Sequence, residues 1–256
     1  AANEDFTIPA NYGQMQIRQY FDTTMASGKG SAVVSSSQEL VAIAQIQARG
    51  QVPTQGSYIG YTSGSTQFYV PLASKNTNTA SGIAHSQIII QNVEQSASVD
   101  VTVDLVNSNA TVAYQKTIED LAPGVSYYYD LSAETNLPTN WMGSAVAKST
   151  GGNIVVVSNF FTGPDAMQTF NAFSIESLGT KWIVPLFFVR LTNGLNTVIT
   201  VQNLSGGTIS AGGITLTCTR SATGTGPLTL EASLPSDLGD TASYSFNPVT
   251  NTTMFP

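Results

Sequence analysis

Charge is what this sequence has least of. Only 10% of its 256 residues are charged, against roughly a quarter in ordinary soluble domains. The nine lysines and arginines are scattered singly against sixteen acidic residues, for a net charge of −7. No basic patch is present to neutralise phosphates, so nucleic acid is not an expected partner.

Histidine and cysteine occur once each. His85 sits in the loop Ser81-Gly-Ile-Ala-His85-Ser86 with no acidic residue or cysteine at ligand spacing. Cys218 ends Ile214-Thr-Leu-Thr-Cys218, sharing one face of an alternating strand with Ile214 and Leu216, where a thiol serves as a small buried hydrophobe. An intrachain disulfide is impossible, and no nucleophile–base pair or metal cluster can be assembled. The expectation is therefore a non-enzyme with no cofactor and no metal.

Long apolar runs are also lacking. The longest, Trp182-Ile-Val-Pro-Leu-Phe-Phe-Val189, falls far short of the ~20 residues that span a bilayer, so membrane insertion is not expected. The first residues hold neither a basic-then-apolar leader nor the long apolar helix of type IV pilins. A start at Ala1 fits a mature exported chain.

What the sequence does have is 41% hydrophobic residues with 22 Gly and 11 Pro, its polarity carried by Ser, Thr, Asn and Gln. Val99, Val101, Val103 and Leu105 alternate with Asp100, Thr102 and Asp104, the period of a half-buried strand. Leu40-Val-Ala-Ile-Ala and Ile154-Val-Val-Val are continuous apolar runs, expected as central strands buried on both faces. Ala122-Pro-Gly124 is turn chemistry, and such signals recur every 8–12 residues without a capped helical stripe. The predicted fold class is all-β, with Ig-like or jelly-roll-like sandwiches.

The chain also repeats. Phe68-Tyr-Val-Pro-Leu72 returns as Trp182-Ile-Val-Pro-Leu186, Ile88-Ile-Ile-Gln-Asn92 as Ile199-Thr-Val-Gln-Asn203, and Val101-Thr-Val103 as Ile214-Thr-Leu216. Leu121-Ala-Pro-Gly-Val-Ser-Tyr-Tyr-Tyr-Asp130 returns as Leu238-Gly-Asp-Thr-Ala-Ser-Tyr-Ser-Phe-Asn247. The spacing runs from 111 residues (Ile88 to Ile199) to 117 (Leu121 to Leu238), the size of a domain. The first copy continues into Gly143-Ser-Ala-Val146 and Asn153-Ile-Val-Val-Val-Ser-Asn159, whereas the second reaches Asn251-Thr-Thr-Met-Phe-Pro256 where these strands should begin. Their match lies near the other end, in Gly30-Ser-Ala-Val33 and Leu40-Val-Ala-Ile-Ala-Gln45. Tyr20-Phe-Asp22 further resembles Tyr128-Tyr-Asp130.

Three parts are therefore predicted. Residues 1–67 are a module tail with donor strands and linker, and 68–181 are a complete sandwich. Residues 182–256 are an incomplete sandwich, completed by about 14–50 of a neighbouring or the same chain. The residues expected at that junction are Ala32, Val33, Leu40, Val41 and Ile43 of the tail, against Ile199, Val201, Ile214, Leu216 and Phe246 of the head.

The run of Gln-Asn, Val-Thr-Val, Leu-Ala-Pro-Gly, Leu-Pro and Gly-Ser-Ala-Val resembles a repeated β-sandwich module of bacterial surface and extracellular proteins. That resemblance, clearest over 87–159, implies an extracellular, cell-surface structural or adhesive role without catalytic residues. The leading expectation is a subunit of a filament, pilus-like fibre or surface layer, a homopolymer joined head to tail by strand donation and touching host or other cells. A monomeric adhesin or carbohydrate-binding sandwich, and a viral capsid or tail protein, are the alternatives.

Minor features have plainer readings. Asp100 with Asp104, and Asp237 with Asp240, lack the dense spacing of a calcium loop. Tyr127-Tyr-Tyr129 must send at least one ring to the core. Asn109, Asn203 and Asn251 open Asn-X-Ser/Thr sequons and are the candidate glycosylation sites.

Overall fold

The computed structural model describes residues 7–10, 28–47, 55–79, 81–163, 166–192, 194–219 and 229–253. Tyr20-Phe-Asp22 and the tail positions 14–27 and 48–50 lie outside them. The chain divides into two compact units, 1–32 and 33–256. The described residues of the first, 7–10 and 28–32, carry no regular secondary structure.

The fold is all-β, as the alternation predicts. Every strand pairing among the described residues is antiparallel. Two strands of the tail, β1 (Ile43–Gln47) and β2 (Gln55–Ile59), form a hairpin. A sandwich follows, built from β3 (Gln67–Lys75), β4 (Thr77–Thr79), β5 (Gly82–Asn92), β6 (Val99–Val106) and β7 (Val112–Leu121). It continues through β8 (Ser126–Asp130), β9 (Trp141–Thr150), β10 (Ile154–Thr162), β11 (Ala166–Asn171) and β12 (Phe173–Ser174). Downstream lie β13 (Ile199–Gln202), β14 (Thr215–Thr219), β15 (Thr229–Ser233) and β16 (Ser243–Phe246).

One sheet of the sandwich runs β11-β10-β5-β4, with β8 also on β5, and the other runs β12-β3-β9-β6-β7. Their inner faces share one core, in which Phe68, Val70, Ile88, Ile90, Val101, Val103, Leu105, Ala145, Ala147, Ile154 and Val156 are completely buried. β6 shows why the sequence folds this way: its valines enter the core, while Asp100 and Asp104 stay on the outer face. β10 departs from its prediction. Within its apolar run Ile154 and Val156 are fully buried, whereas Val155 and Val157 are half-covered.

A polar knot fixes the loop from Leu131 to Asn140. Lys75 Nζ donates to the carbonyls of Glu134 and of Leu137, the latter at 2.6 Å. The Glu134 carboxylate accepts from Tyr129 Oη at 2.9 Å, and from Asn136 N and Nδ2 at 2.9 and 2.8 Å. Burial raises the Glu134 pKa, but these hydrogen bonds outweigh it and hold the group below the usual carboxylate range. The following segment docks on this sandwich. Ser144 Oγ donates to Thr241 O at 2.6 Å, and Ala110 packs into a cluster with Leu234, Leu238 and Ala242.

Candidate assembly interface

The internal repeat is present in three dimensions, down to hydrogen bonds. Asn92, fully buried, donates from Nδ2 to Ala97 O and Leu121 O, both at 2.8 Å, and accepts from Glu94 N at 2.9 Å. Asn203, equally buried, donates to Gly207 O at 2.6 Å and Leu238 O at 2.8 Å, and accepts from Ser205 N at 3.0 Å. Each asparagine locks the end of its strand to the turn that precedes that strand's partner, β8 in the sandwich and β16 in the second copy. Asn203, one of the three sequon asparagines, thus has its amide buried with both Nδ2 protons donated within the fold. Asn109 is exposed and Asn251 half-exposed.

The strand registers repeat as well. Ile88 faces Tyr129 and Ile90 faces Tyr127 across β5–β8, and Ile199 faces Phe246 and Val201 faces Tyr244 across β13–β16. Val103 faces Lys116 and Leu105 faces Tyr114 across β6–β7, and Leu216 faces Ala232 and Cys218 faces Leu230 across β14–β15.

What differs is the neighbours. In the sandwich, β5 also pairs with β10, and β9 lies between β3 and β6. In the head, among the described residues, β13 pairs only with β16 and β14 only with β15. Ile199, Val201, Ile214, Leu216 and Cys218 are accordingly only half-buried, although every counterpart in the sandwich is fully buried. Phe246, on the side that has its partner, is buried.

The segment that should form the β3 counterpart is left without any strand. Trp182 is 59% exposed and Val184 46%, where Phe68 and Val70 are 0%. The physical cause is the gap beside it: β3 is held by β9 and the two-residue β12, and no counterpart of β9 is present among the described residues of the head. Sequence reasoning omitted Trp182 and Val184 from the junction, although the match of Phe68-Tyr-Val-Pro-Leu72 to Trp182-Ile-Val-Pro-Leu186 already pointed to them.

The tail presents the converse. β1 and β2 pair Ile43 with Ile59 and Gln45 with Ser57, as β10 and β11 pair Val157 with Asn171 and Asn159 with Thr169. Asn171 binds Ile59 through both amide atoms, and a Cβ on Gly56 would fall 2.1 Å from Thr169 Oγ1. The hairpin thus lies against β11, and among the described residues no strand pairs with the far edge of β1. Leu40-Val-Ala-Ile-Ala does not form the predicted buried strand in a single chain. Regular structure starts only at Ile43, and Val41 is 97% exposed. Ala32 and Val33 likewise lie in an irregular, exposed stretch, Val33 at 84%. Leu40 and Ile43 are exposed too.

The remaining candidates have local partners. His85 stacks on Phe161 with ring centroids 4.9 Å apart. Asp100 accepts from Asp120 N, Asp237 from Ala211 N and Asp240 from Gly206 N. Asp104 takes Gln115 and a 3.3 Å ion pair with Lys148. Tyr129 is the ring that enters the core, with Tyr127 packed beside it on the same face. Among the described residues, no three His, Cys, Asp or Glu converge on a metal-sized site, and no helix is long and apolar enough to cross a membrane.

No protein-family model matches this chain, and no curated protein matches it. The crystal structure of Thermotoga maritima 1070 is similar over 45% of this chain and 98% of its own, at 13% identity and a TM-score of 0.37, a likeness that carries no argument.

Proposed function

We propose that this protein is a structural subunit of an extracellular filament, pilus-like fibre or surface layer, built head to tail by β-strand donation. Residues of one chain's tail, within about 14–50, complete the 182–256 module of the next. One observation carries the reading: the head exposes the core that β9 and β10 cover in the sandwich, while the tail exposes apolar copies of those two strands. Exposed apolar side chains beside unpaired strand edges mark association surfaces. Covering each such side chain contributes about 1.5–3 kcal/mol before ordering costs. A head-to-tail contact is heterologous, so it propagates unless its rotation closes a ring. The composition fits the same role, with low charge, many small polar residues and no assembled acid–base or nucleophile pair.

The test is electron microscopy of the purified full-length protein across a concentration series, with sedimentation alongside. Fibres or sheets with residues 28–47 in a neighbour's sheet are the expected result. A monomer that stays monomeric when concentrated, or a tail inserted into its own chain's head, overturns the reading.

A further inference from the structure

We infer that the tail enters the neighbouring head as two separate strands in one defined register, which sets Ala32 of the donor directly opposite Cys218 of the acceptor. This rests on strand donation and specifies its partner surface residue by residue.

The register follows from the repeats. The β1–β2 and β10–β11 pairings superpose Ile43 on Val157 and Gln45 on Asn159, so Leu40, Ala42 and Ala44 take the places of Ile154, Val156 and Ser158. The β13–β16 and β5–β8 pairings superpose Ile199 on Ile88 and Val201 on Ile90. In the sandwich, Ile154 faces Asn92, Val156 faces Ile90 and Ser158 faces Ile88. The donor's Leu40, Ala42 and Ala44 therefore face the acceptor's Asn203, Val201 and Ile199.

The other strand enters the second sheet. Gly30-Ser-Ala-Val33 occupies the place of Gly143-Ser-Ala-Val146, and Leu216 and Cys218 occupy those of Val103 and Leu105. Ala145 faces Leu105 on one side and Val70 on the other, and Ala147 faces Val103 and Phe68. Ala32 is thus placed between Cys218 and Val184, and Val34 between Leu216 and Trp182.

Side-chain volume supports this alignment independently. In the second sheet the composite gains bulk, with Val34 for Ala147, Leu216 for Val103 and Trp182 for Phe68. In the first it loses bulk, with Ala42 for Val156 and Val201 for Ile90, and in the second Cys218 for Leu105 offsets part of the gain. Cores accept such swaps when the total volume is kept. A slip of one residue would turn every donor side chain to the opposite face and forfeit the match.

Backbone geometry makes the register chemically readable. Ser149 turns its N–H to Thr66 O, on the β3 side of β9. Residues of the same parity, Ala145 and Ala147, therefore face β6 as non-hydrogen-bonded pairs, with Cα atoms about 4.5 Å apart. That distance lies within the range a disulfide bridges.

The experiment introduces Ala32→Cys into the full-length protein, which keeps its native Cys218, and oxidises it under assembly conditions. Non-reducing gels are read beside micrographs of the same samples. The expected result is a ladder of covalent multimers, lost when Cys218→Ser is added and absent from Val33→Cys, whose side chain points to the other face. Wild type, with one thiol per chain, can yield no more than dimers. Should Ala32→Cys fail to fold, Val34→Cys with Leu216→Cys in a Cys218→Ser background reads the same register. Fibres without a ladder, or a ladder from Val33→Cys, overturn the register and leave strand donation standing. A monomer-sized internal disulfide without fibres overturns both.

Discussion

Asn171 grips Ile59 by both ends of its amide, accepting from Ile59 N at 3.0 Å and donating to Ile59 O at 2.7 Å. A side chain here performs the exchange that a neighbouring strand performs in a sheet, and it holds the β1–β2 hairpin against β11. Strand β1 is therefore part of a two-stranded unit fixed to its own chain. Asn171→Ala removes both bonds and should cost about 1–3 kcal/mol, because Ile59 loses its partners. The core of the sandwich does not depend on this contact. Hydrogen exchange should show faster opening of residues 55–59 and unchanged protection of β5 and β6.

The buried asparagines are expected to separate the two copies energetically. Asn92→Ala and Asn203→Ala each remove three hydrogen bonds made by a buried amide, a loss on the order of 2–4 kcal/mol. The Asn92 variant should lower the main unfolding transition. The Asn203 variant should act on the head and be partly rescued by assembly, which stabilises whatever form it binds. Calorimetry at two protein concentrations distinguishes them, since only the Asn203 defect should shrink as concentration rises.

Stability should fall at both ends of the pH scale, for separate reasons. The Glu134 pKa is held low in the folded chain, so its contribution is full above the ordinary carboxylate value and is lost as pH falls through the depressed one. Tyr61 and Tyr129 behave oppositely. Burial pushes Tyr61 up to about 12, partly countered by hydrogen bonding to Asn171 and the Ala172 carbonyl. Burial and then the Glu134 carboxylate raise Tyr129 as well. Their contributions are full below pH 10 and lost as pH rises through the raised values. Tyr61 alone accounts for about 2 kcal/mol between pH 10 and 12. Tyr61→Phe should flatten part of the alkaline limb of a urea-midpoint profile and leave the acid limb in place, which Glu134→Gln should flatten instead.

Much of this architecture was legible in the sequence, because two periods were superposed there. Alternation at Val99–Leu105 gave the strand, and the return of Gln-Asn and Val-Thr-Val gave the repeat. The Asn171 clamp was not legible, since one asparagine among many carries no sign of the backbone it will meet. Nor was the contact of Ser144 with Thr241, which depends on how consecutive copies dock. The irregular backbone at Leu40–Ala42 and at Trp182–Val189 runs against local propensity. Both stretches read as strands, but among the described residues they make only scattered backbone hydrogen bonds, Gly60 N to Ala42 O and Thr197 N to Phe188 O, and no strand ladder.

The glycines test the whole account most directly. Gly143 is required by packing, for a Cβ there would fall 2.0 Å from Val106 O on the adjacent β6. Gly30 stands at the matching place in the tail, and no atom of the described residues lies within 4 Å of where its Cβ would be. If the tail never enters a sheet, Gly30→Val is harmless in every assay. If it takes the place of β9 in a neighbour, the added side chain meets the carbonyl after Cys218 and blocks insertion. Gly143→Val should therefore lower the melting temperature of the isolated subunit by many degrees. Gly30→Val should leave that melting curve unchanged and abolish fibres in micrographs. Fibres formed by Gly30→Val at the wild-type concentration would place that part of the tail outside the neighbour's sheet.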